Sequence, residues 1–488
     1  MTEMLDRASA GALSVRALFA LSVATALIGC SGGGTSQPAP APVNRAPSFT
    51  SVAAVTVSEN ATGSIYQAAA TDPDGDVLTY SISGGADAAR FAITAAGQLS
   101  FAASPNFDLP TDSDLDNVYQ LTLSVGDGRA SAQLAVTITV TNSREGIAVR
   151  RVATGFVDPV AIAPIDASTA LVAERAGAIY RLDPVSGART LLYQVTLSSG
   201  GEVIGIAGAH DYATSGTFFL LYRTNGTIFF NRFLRNPAGP IVSDNFGSAL
   251  TVAAPNYAGG GWVGAAANGA FFVALSDAGG VGDPANSAQN DGTRLGKLIL
   301  VSPNPDPYAG ASPQFFLFQN LAKGLRRPTG GAIWNGGLLL ADSGQDAFEE
   351  VNLVPTGAAG TNLGWPFKEG TGIRSTPPAG LTDPVIQYPH GTGPRAGNAI
   401  VGGAVGGTTI PSLRDVYVFA DRNGSIFSIA ASSIQQGTTL SSATLERRNA
   451  DFVPATGQID GLVTLRAGAD GVIYIVDQDG EIFRAEPE

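Results

Sequence analysis

One unit recurs six times between residues 147 and 488, and it constrains the fold more than any other feature. An apolar run, a polar or glycine turn and a second apolar run appear as LVAERAGAIYRL (171–182), FLLYRTNGTIFFNRF (219–233) and FFVALSDAGG (271–280). They return as LLLADSGQDAFEEVNL (338–353), VYVFADRNGSIFSI (416–429) and VIYIVDQDGEIFRA (472–485). Each copy holds too few strands to bury its own apolar face, so the copies must stack on one another. Radial stacking into a β-propeller of six four-stranded blades is the natural solution, with a jelly roll or β-solenoid as the alternative. Five copies carry an acid just after the first strand: Glu174, Asp277, Asp342, Asp421 and Asp477. Such acids either cap turns or gather at one face of a ring.

The rest of the chain is organised ahead of this array. Residues 17–29 (ALFALSVATALIG) form a short apolar run preceded by Arg7 and Arg16, the pattern of an export signal. The sole cysteine, Cys30, follows it, so no intramolecular disulfide exists. Residues 30–45 are Gly/Ser-rich and then Ala/Pro-rich, the composition of a flexible tether. The net charge of −13 argues against nucleic acid as a partner and is compatible with cation binding. With 61 glycines and only 14% charged residues among 488, the chain reads as β-rich and loop-rich.

Residues 46–144 contain about seven alternating apolar runs separated by turn residues, the signature of a β-sandwich. Acids stand at its turns: Glu59, Asp72, Asp74, Asp76, Asp108 and Asp127. Ca²⁺ takes several carboxylate and carbonyl oxygens held on turns, and Asp72-Pro-Asp74-Gly-Asp76 supplies them close together. The same residues also make ordinary turns.

Three resemblances sharpen this picture. LIGC (27–30) resembles the lipobox of bacterial lipoproteins, which implies lipidation at Cys30. Ser31 after the cysteine then implies the outer membrane, with the lipid as the only membrane contact. The motifs SEN, ATDPDGDVLTYSI, GQLSF, NFD and YQLTLSVGDG resemble a bacterial cadherin-like repeat. That likeness implies calcium at Glu59, Asp108 and Asp127, with Asp72 and Asp74 at a second site, and adhesion-type contacts. The chain holds a single such repeat, and its following linker VTNSRE lacks that family's Asp-rich sequence.

The third covers most of residues 150–488. NYAGGGWVGAAANGAFFVALSDAGGVGDPANSAQNDGTRLGKLIL (256–300), GLRRPTGGAIWNGGLLLADSGQDAFEEVNLV (324–354) and TNLGWPFKEG (361–370) resemble the soluble aldose sugar dehydrogenases. That family includes propellers related to hedgehog-interacting protein, and its enzymes use pyrroloquinoline quinone (PQQ) with calcium. The resemblance implies Asp277 as the acid that orients a catalytic histidine, Arg326 as a quinone contact, and the carbonyls of Gly344 and Gln345 as calcium ligands. The histidine position itself is Tyr257, and a phenol is a poor base near pH 7. His210 and His390, the only histidines, align elsewhere.

The expectation is therefore an exported, all-β chain. A signal peptide (1–29) and tether (30–45) precede a cadherin-like sandwich (46–144) and a six-bladed sugar-dehydrogenase-type propeller (147–488). Two functions compete. One is a calcium-binding surface protein whose propeller has lost its base and takes a glycan, sugar or protein partner. The other is a working PQQ-dependent oxidoreductase of sugars or alcohols.

Overall fold

A computed structural model describes residues 43–488, except 236–240, 244–248, 267–268, 306–315 and 358. The signal segment, Cys30 and the tether up to residue 42 lie outside the described residues. Among the described residues no helix is long and apolar enough to cross a membrane.

The sandwich is built from the alternating runs. Val118–Gly126 and Ser131–Thr141 form its longest hairpin, flanked by Ala54–Ser58 and Thr79–Gly84 in a four-stranded sheet. Ala54–Ser58 runs parallel to Ser131–Thr141. Opposite lie Tyr66–Gln67, Gln98–Phe101 and Phe91–Ile93. Alternation along Val118–Gly126 turns Tyr119, Leu121, Leu123 and Val125 inward, where they are buried. Tyr119, Leu121 and Leu123 meet Phe91, Leu99, Val136 and Ile138 in one core.

Beyond residue 146 each recurrent unit becomes the middle hairpin of a blade. Blade one runs Pro159–Asp166, Thr169–Glu174, Ala178–Leu182 and Arg189–Gln194. Blade two is built on Glu202–Gly208, Phe218–Thr224 and Thr227–Arg235, and blade three on Gly261–Ala265, Phe271–Leu275, Lys297–Pro303 and Phe316–Lys323. Blade four comprises Pro328–Trp334, Gly337–Asp342, Phe348–Pro355 and Ile386–Pro389, and blade five Ile400–Val405, Val416–Asp421, Ile426–Ala430 and Glu446–Arg447. Blade six takes Leu462–Ala467, Ile473–Asp477 and Ile482–Pro487 from the end of the chain and borrows its outer strand, Ile147–Ala153, from the start. That exchange closes the ring and satisfies an edge that would otherwise be open.

The first strands of the six blades neighbour one another around a central channel. Five of them (AIAP, GIAG, WVGA, TGGA, VGGA) are rich in glycine and alanine because six backbones converge there, while the sixth, LVTLRA, carries Arg466. A Cβ on Gly330 would stand 2.5 Å from the Cα of Gly402, so the inner strands of blades four and five touch backbone to backbone.

The two domains meet at a buried ion cluster. Nη1 of Arg448, just past the outer strand of blade five, lies 2.7 Å from Asp108 in the sandwich and 2.7 Å from Glu145 in the linker. It also lies 3.0 Å from Asp451. Neighbouring contacts extend the seam: Asn106 donates to Glu446 at 2.9 Å, and Arg144 donates to the Val453 carbonyl at 2.7 Å. Burial raises the Asp108 pKa in spite of its bond to Arg448, and repulsion from Asp451 raises it further. Removing the guanidinium strands buried carboxylates. Arg448→Met is expected to lower stability by roughly 3–5 kcal/mol in urea denaturation. A loss below about 1 kcal/mol would mean that the seam behaves as a solvated surface pair.

Candidate functional site

The strand-end acids gather at one end of the channel, and four of them do the same structural job. Glu174, Asp342, Asp421 and Asp477 are buried and paired in register with the first residue of their own blade's inner strand. Each carboxylate accepts backbone N–H groups from the segment entering that strand. Glu174 takes Val157 (2.7 Å), and Asp342 takes Arg326 and Arg327 (2.9 and 2.6 Å). Asp421 takes Asn398 and Ala399 (both 3.0 Å), and Asp477 takes Asp460 and Gly461 (both 3.0 Å). A β-bulge follows each clamp at the top of the inner strand. Burial pushes Asp342 up to about 7 in spite of these donors.

Blade three breaks the pattern. Its inner strand has no bulge, and its register pairs Gly261 with Leu275, leaving Asp277 two residues beyond the clamp position. Asp277 instead accepts from the Gly279 N–H and from the Trp365 indole Nε1–H, each at 2.7 Å. Burial raises its pKa. Two guanidinium groups lie on the same indole, with Arg326 5.6 Å and Arg374 5.1 Å from the ring centre. Arg374 is held by Glu369 (2.5 Å) and Asp346 (2.8 Å), while Glu369 also accepts three N–H groups from residues 346–348. Arg326 Nη1 donates to the carbonyls of Ser343, at 2.9 Å, and Gly344.

Tyr257 closes the entry segment of blade three where a carboxylate does so elsewhere. It is 3% exposed and packs in the core shared by blades two and three. Its hydroxyl donates to the Gly260 carbonyl and accepts from Ser276 N–H at 3.3 Å. Burial pushes its pKa up to about 12.

The 276–291 loop is ordered by buried polar groups that spacing alone did not reveal. Asp283 caps Ser287 and Ala288 at 2.8 Å each. Lys297, fully buried, donates to the carbonyls of Ser287, Ala288 and Leu295, and burial lowers its pKa to about 8. Gln345 Oε1 accepts from Gly282, tying this loop to blade four.

The channel mouth at the clamp end is cationic. Arg327 and Arg422 are both exposed on it, and Arg175 bridges Asp158 and Glu202 at its edge. Partial burial of its side chain, with Arg326 and Arg422 nearby, lowers the Arg327 pKa, and this clustering of positive charge favours an anion. His390 lies off this lining with its Nε2 2.7 Å from the buried Glu349 carboxylate, while His210 is exposed toward the other end of the channel.

The sandwich acids have partners of their own. Glu59 accepts from Phe107 N–H, Ser143 N–H and the Ser143 hydroxyl. Asp72 caps the N–H groups of Asp74 and Asp76, and Asp127 caps Arg129 and Ala130. Asp108 pairs with Arg448. Among the described residues, the one group of three or more candidate ligands converging within 4.8 Å is Asp112, Asp114 and Asp116, outside the expected calcium set.

The comparisons with known proteins agree with this architecture. Residues 156–484 match the glucose/sorbosone dehydrogenase family model. The chain belongs to that family. Residues 44–141 match the bacterial Ig domain, so the family found for the sandwich is Ig-like. The PQQ-bound aldose sugar dehydrogenase of Streptomyces coelicolor shares the fold at a TM-score of 0.53 and 21% identity, covering 70% of this chain and 98% of that one. The apo-form aldose sugar dehydrogenase of Escherichia coli gives 0.51 and 18%, covering 70% and 100%. HIPL1 protein of Arabidopsis thaliana is 29% identical over 192 residues, covering 32% of this chain and 27% of its own length. HIPL2 protein of the same plant is 28% identical over 188 residues, also covering 27% of its length, so the match spans about a quarter of each curated relative.

Two residues expected around a calcium-held quinone, Arg326 and Gly344, bond each other here. The Gly344 carbonyl expected to hold calcium faces the Arg326 guanidinium, and the position expected to supply the base is a buried phenol. What the site offers is charge: arginines at a channel mouth and an indole beneath two of the guanidinium groups.

Two predictions follow from these groups. Tyr257 is expected to stay protonated to above pH 11, which an ultraviolet difference titration of wild type against Tyr257→Phe would check. The hydrogen bond to Glu349 raises the His390 pKa above its ordinary value, so its stabilisation is complete below about pH 6.5 and is lost as pH rises through the folded pKa. His390→Gln should flatten that decline in denaturation measured across neutral pH.

Proposed function

We propose that this protein is an exported binding protein of the cell envelope. Its propeller takes an anionic ligand at the arginine-lined mouth and has given up sugar oxidation. Tyr257 carries the reading: a phenol held neutral to about pH 12, donating to a backbone carbonyl, cannot accept a sugar hydroxyl proton. Loss of general-base catalysis costs on the order of 10²–10⁴-fold in rate. Arg327 and Arg422 supply planar donors suited to carboxylates, which points to sugar acids, acidic surface glycans or the acidic face of a protein partner. In this reading Cys30 carries the lipid anchor in the outer membrane, and the sandwich serves as spacer and contact domain. Calcium is assigned to the sandwich, where Asp74 and Asp76 are exposed on the Asp72 turn.

One observation favours the alternative, a PQQ-dependent oxidoreductase of sugars or alcohols. Asp277 is the strand-end acid that is not spent on a clamp, and it faces Trp365 beside Arg326.

Calorimetric titration with PQQ, with and without Ca²⁺, separates the two. The expected outcome is no calcium-dependent quinone binding and no dye-linked glucose oxidation. Glucuronate is expected to bind and to weaken about fivefold or more in Arg327→Met. Tight calcium-dependent PQQ binding with sugar turnover would falsify the binding assignment. A rise in turnover in Tyr257→His would point the same way.

A further inference from the structure

Below the mouth, the channel holds a second charged feature that the family site does not use. Arg466 belongs to the inner strand of blade six, Leu462–Ala467, and its side chain crosses the channel to blade three. Its guanidinium lies 5.0 Å from the centre of the Trp262 ring. A guanidinium carries five N–H donors. The hydrogen bond found for them is a long one, from Nη2 to the Val263 carbonyl at 3.4 Å. Nε is buried without a partner, and so is the Nε1 of Trp262 beside it. Among the described residues no carboxylate pairs with it, and burial pulls the arginine's pKa down to about 9.

Unmatched buried donors of this kind are rare enough to need an explanation. The surroundings suggest one. Arg466 separates two cavities of about 330 and 240 Å³. The larger is walled chiefly by Ile162, Ile206, Val263 and Tyr212, with His210 and Asp166 among its residues. Asp166 is engaged by Ser168, whose N–H and hydroxyl it accepts at 2.8 and 2.9 Å. The smaller cavity has no ionisable wall residue besides Arg466. Neither shares a wall residue with the mouth at the clamp end. Room for the indole is made by glycine: a Cβ on Gly264 would come within 2.4 Å of the Trp262 ring, and one on Gly331 within 2.9 Å. The channel wall is thus shaped around an indole whose N–H, and a guanidinium whose Nε–H, lack an acceptor.

We propose that the lower channel is a binding site for a small aliphatic monocarboxylate. Its carboxylate lies on Arg466, and its hydrocarbon body fills the cavity beside Ile162, Ile206 and Val263. A single carboxylate matches a single guanidinium. The largely apolar walls favour a hydrocarbon tail over a fully hydrated oxyanion such as phosphate, whose hydration shell they cannot replace. This site does not depend on the ligand assigned to the mouth.

The test is calorimetric titration of the protein with sodium butanoate, with butanamide and inorganic phosphate as comparison ligands. Butanoate should bind saturably, and butanamide about tenfold or more weakly, because it keeps the shape and loses the charge. Phosphate should give no saturable heat. Arg466→Met should weaken butanoate by about tenfold or more while melting no lower than the wild type, since it removes an uncompensated charge. Equal binding of butanoate and butanamide, undiminished binding by Arg466→Met, or phosphate binding in place of butanoate would each overturn the proposal. So would a marked loss of thermal stability in Arg466→Met, which would make the arginine a structural pin across the channel.

Discussion

The pairing of Ile147–Ala153 with Ile482–Pro487 holds the molecule together. Five blades complete themselves from consecutive sequence, but the sixth is finished by a strand that precedes the first. Without that antiparallel match, the ring has a seam at which the last blade lacks an outer edge and the inner strands of blades one and six lose their enforced proximity. Five residues separate the same strand from the last strand of the sandwich. The intervening residues carry Arg144 and Glu145 into the buried cluster around Arg448. Closure of the propeller and attachment of the sandwich are therefore consequences of one placement of chain.

Within the ring, repetition of a buried carboxylate sets the background against which the site stands out. A carboxylate at the end of the second strand gathers the N–H groups of the segment entering the first, and in four blades this interaction is complete. In blade three the segment is held by a tyrosine through a carbonyl, and the acid moves two residues on to meet an indole. The departure links local register to chemistry: of the five blades with a strand-end acid, the one that gives up the clamp is the one whose acid faces the arginines.

Much of the architecture was legible in the sequence because its causes are local. The six hairpins follow from alternating apolar runs around glycine turns, and the sandwich strands from the same pattern with shorter turns. The choice between capping acids and a face of functional acids was not local. It depended on a two-residue register difference at Asp277 that no composition reveals. The role of Tyr257 was hidden likewise, because its partners Gly260 and Ser276 become meaningful only once two strands are paired. In the sandwich, Asp72-Pro-Asp74-Gly-Asp76 is a pattern shared by ion sites and ordinary turns. The fate of Asp108 was set by an arginine 340 residues away. Arg466 escaped notice for the same reason, since its neighbour across the channel is 203 residues earlier.

Finishing the last blade with the first strand also sets an order of events during synthesis. The strands of the sandwich are all available once residue 141 has been made, and its core can form while the remainder is still being translated. Ile147–Ala153 must then wait, as an unpaired strand, through more than three hundred further residues, until Ile482–Pro487 emerges to receive it. A nascent chain of this design carries an exposed sticky segment beside a finished domain for most of its assembly.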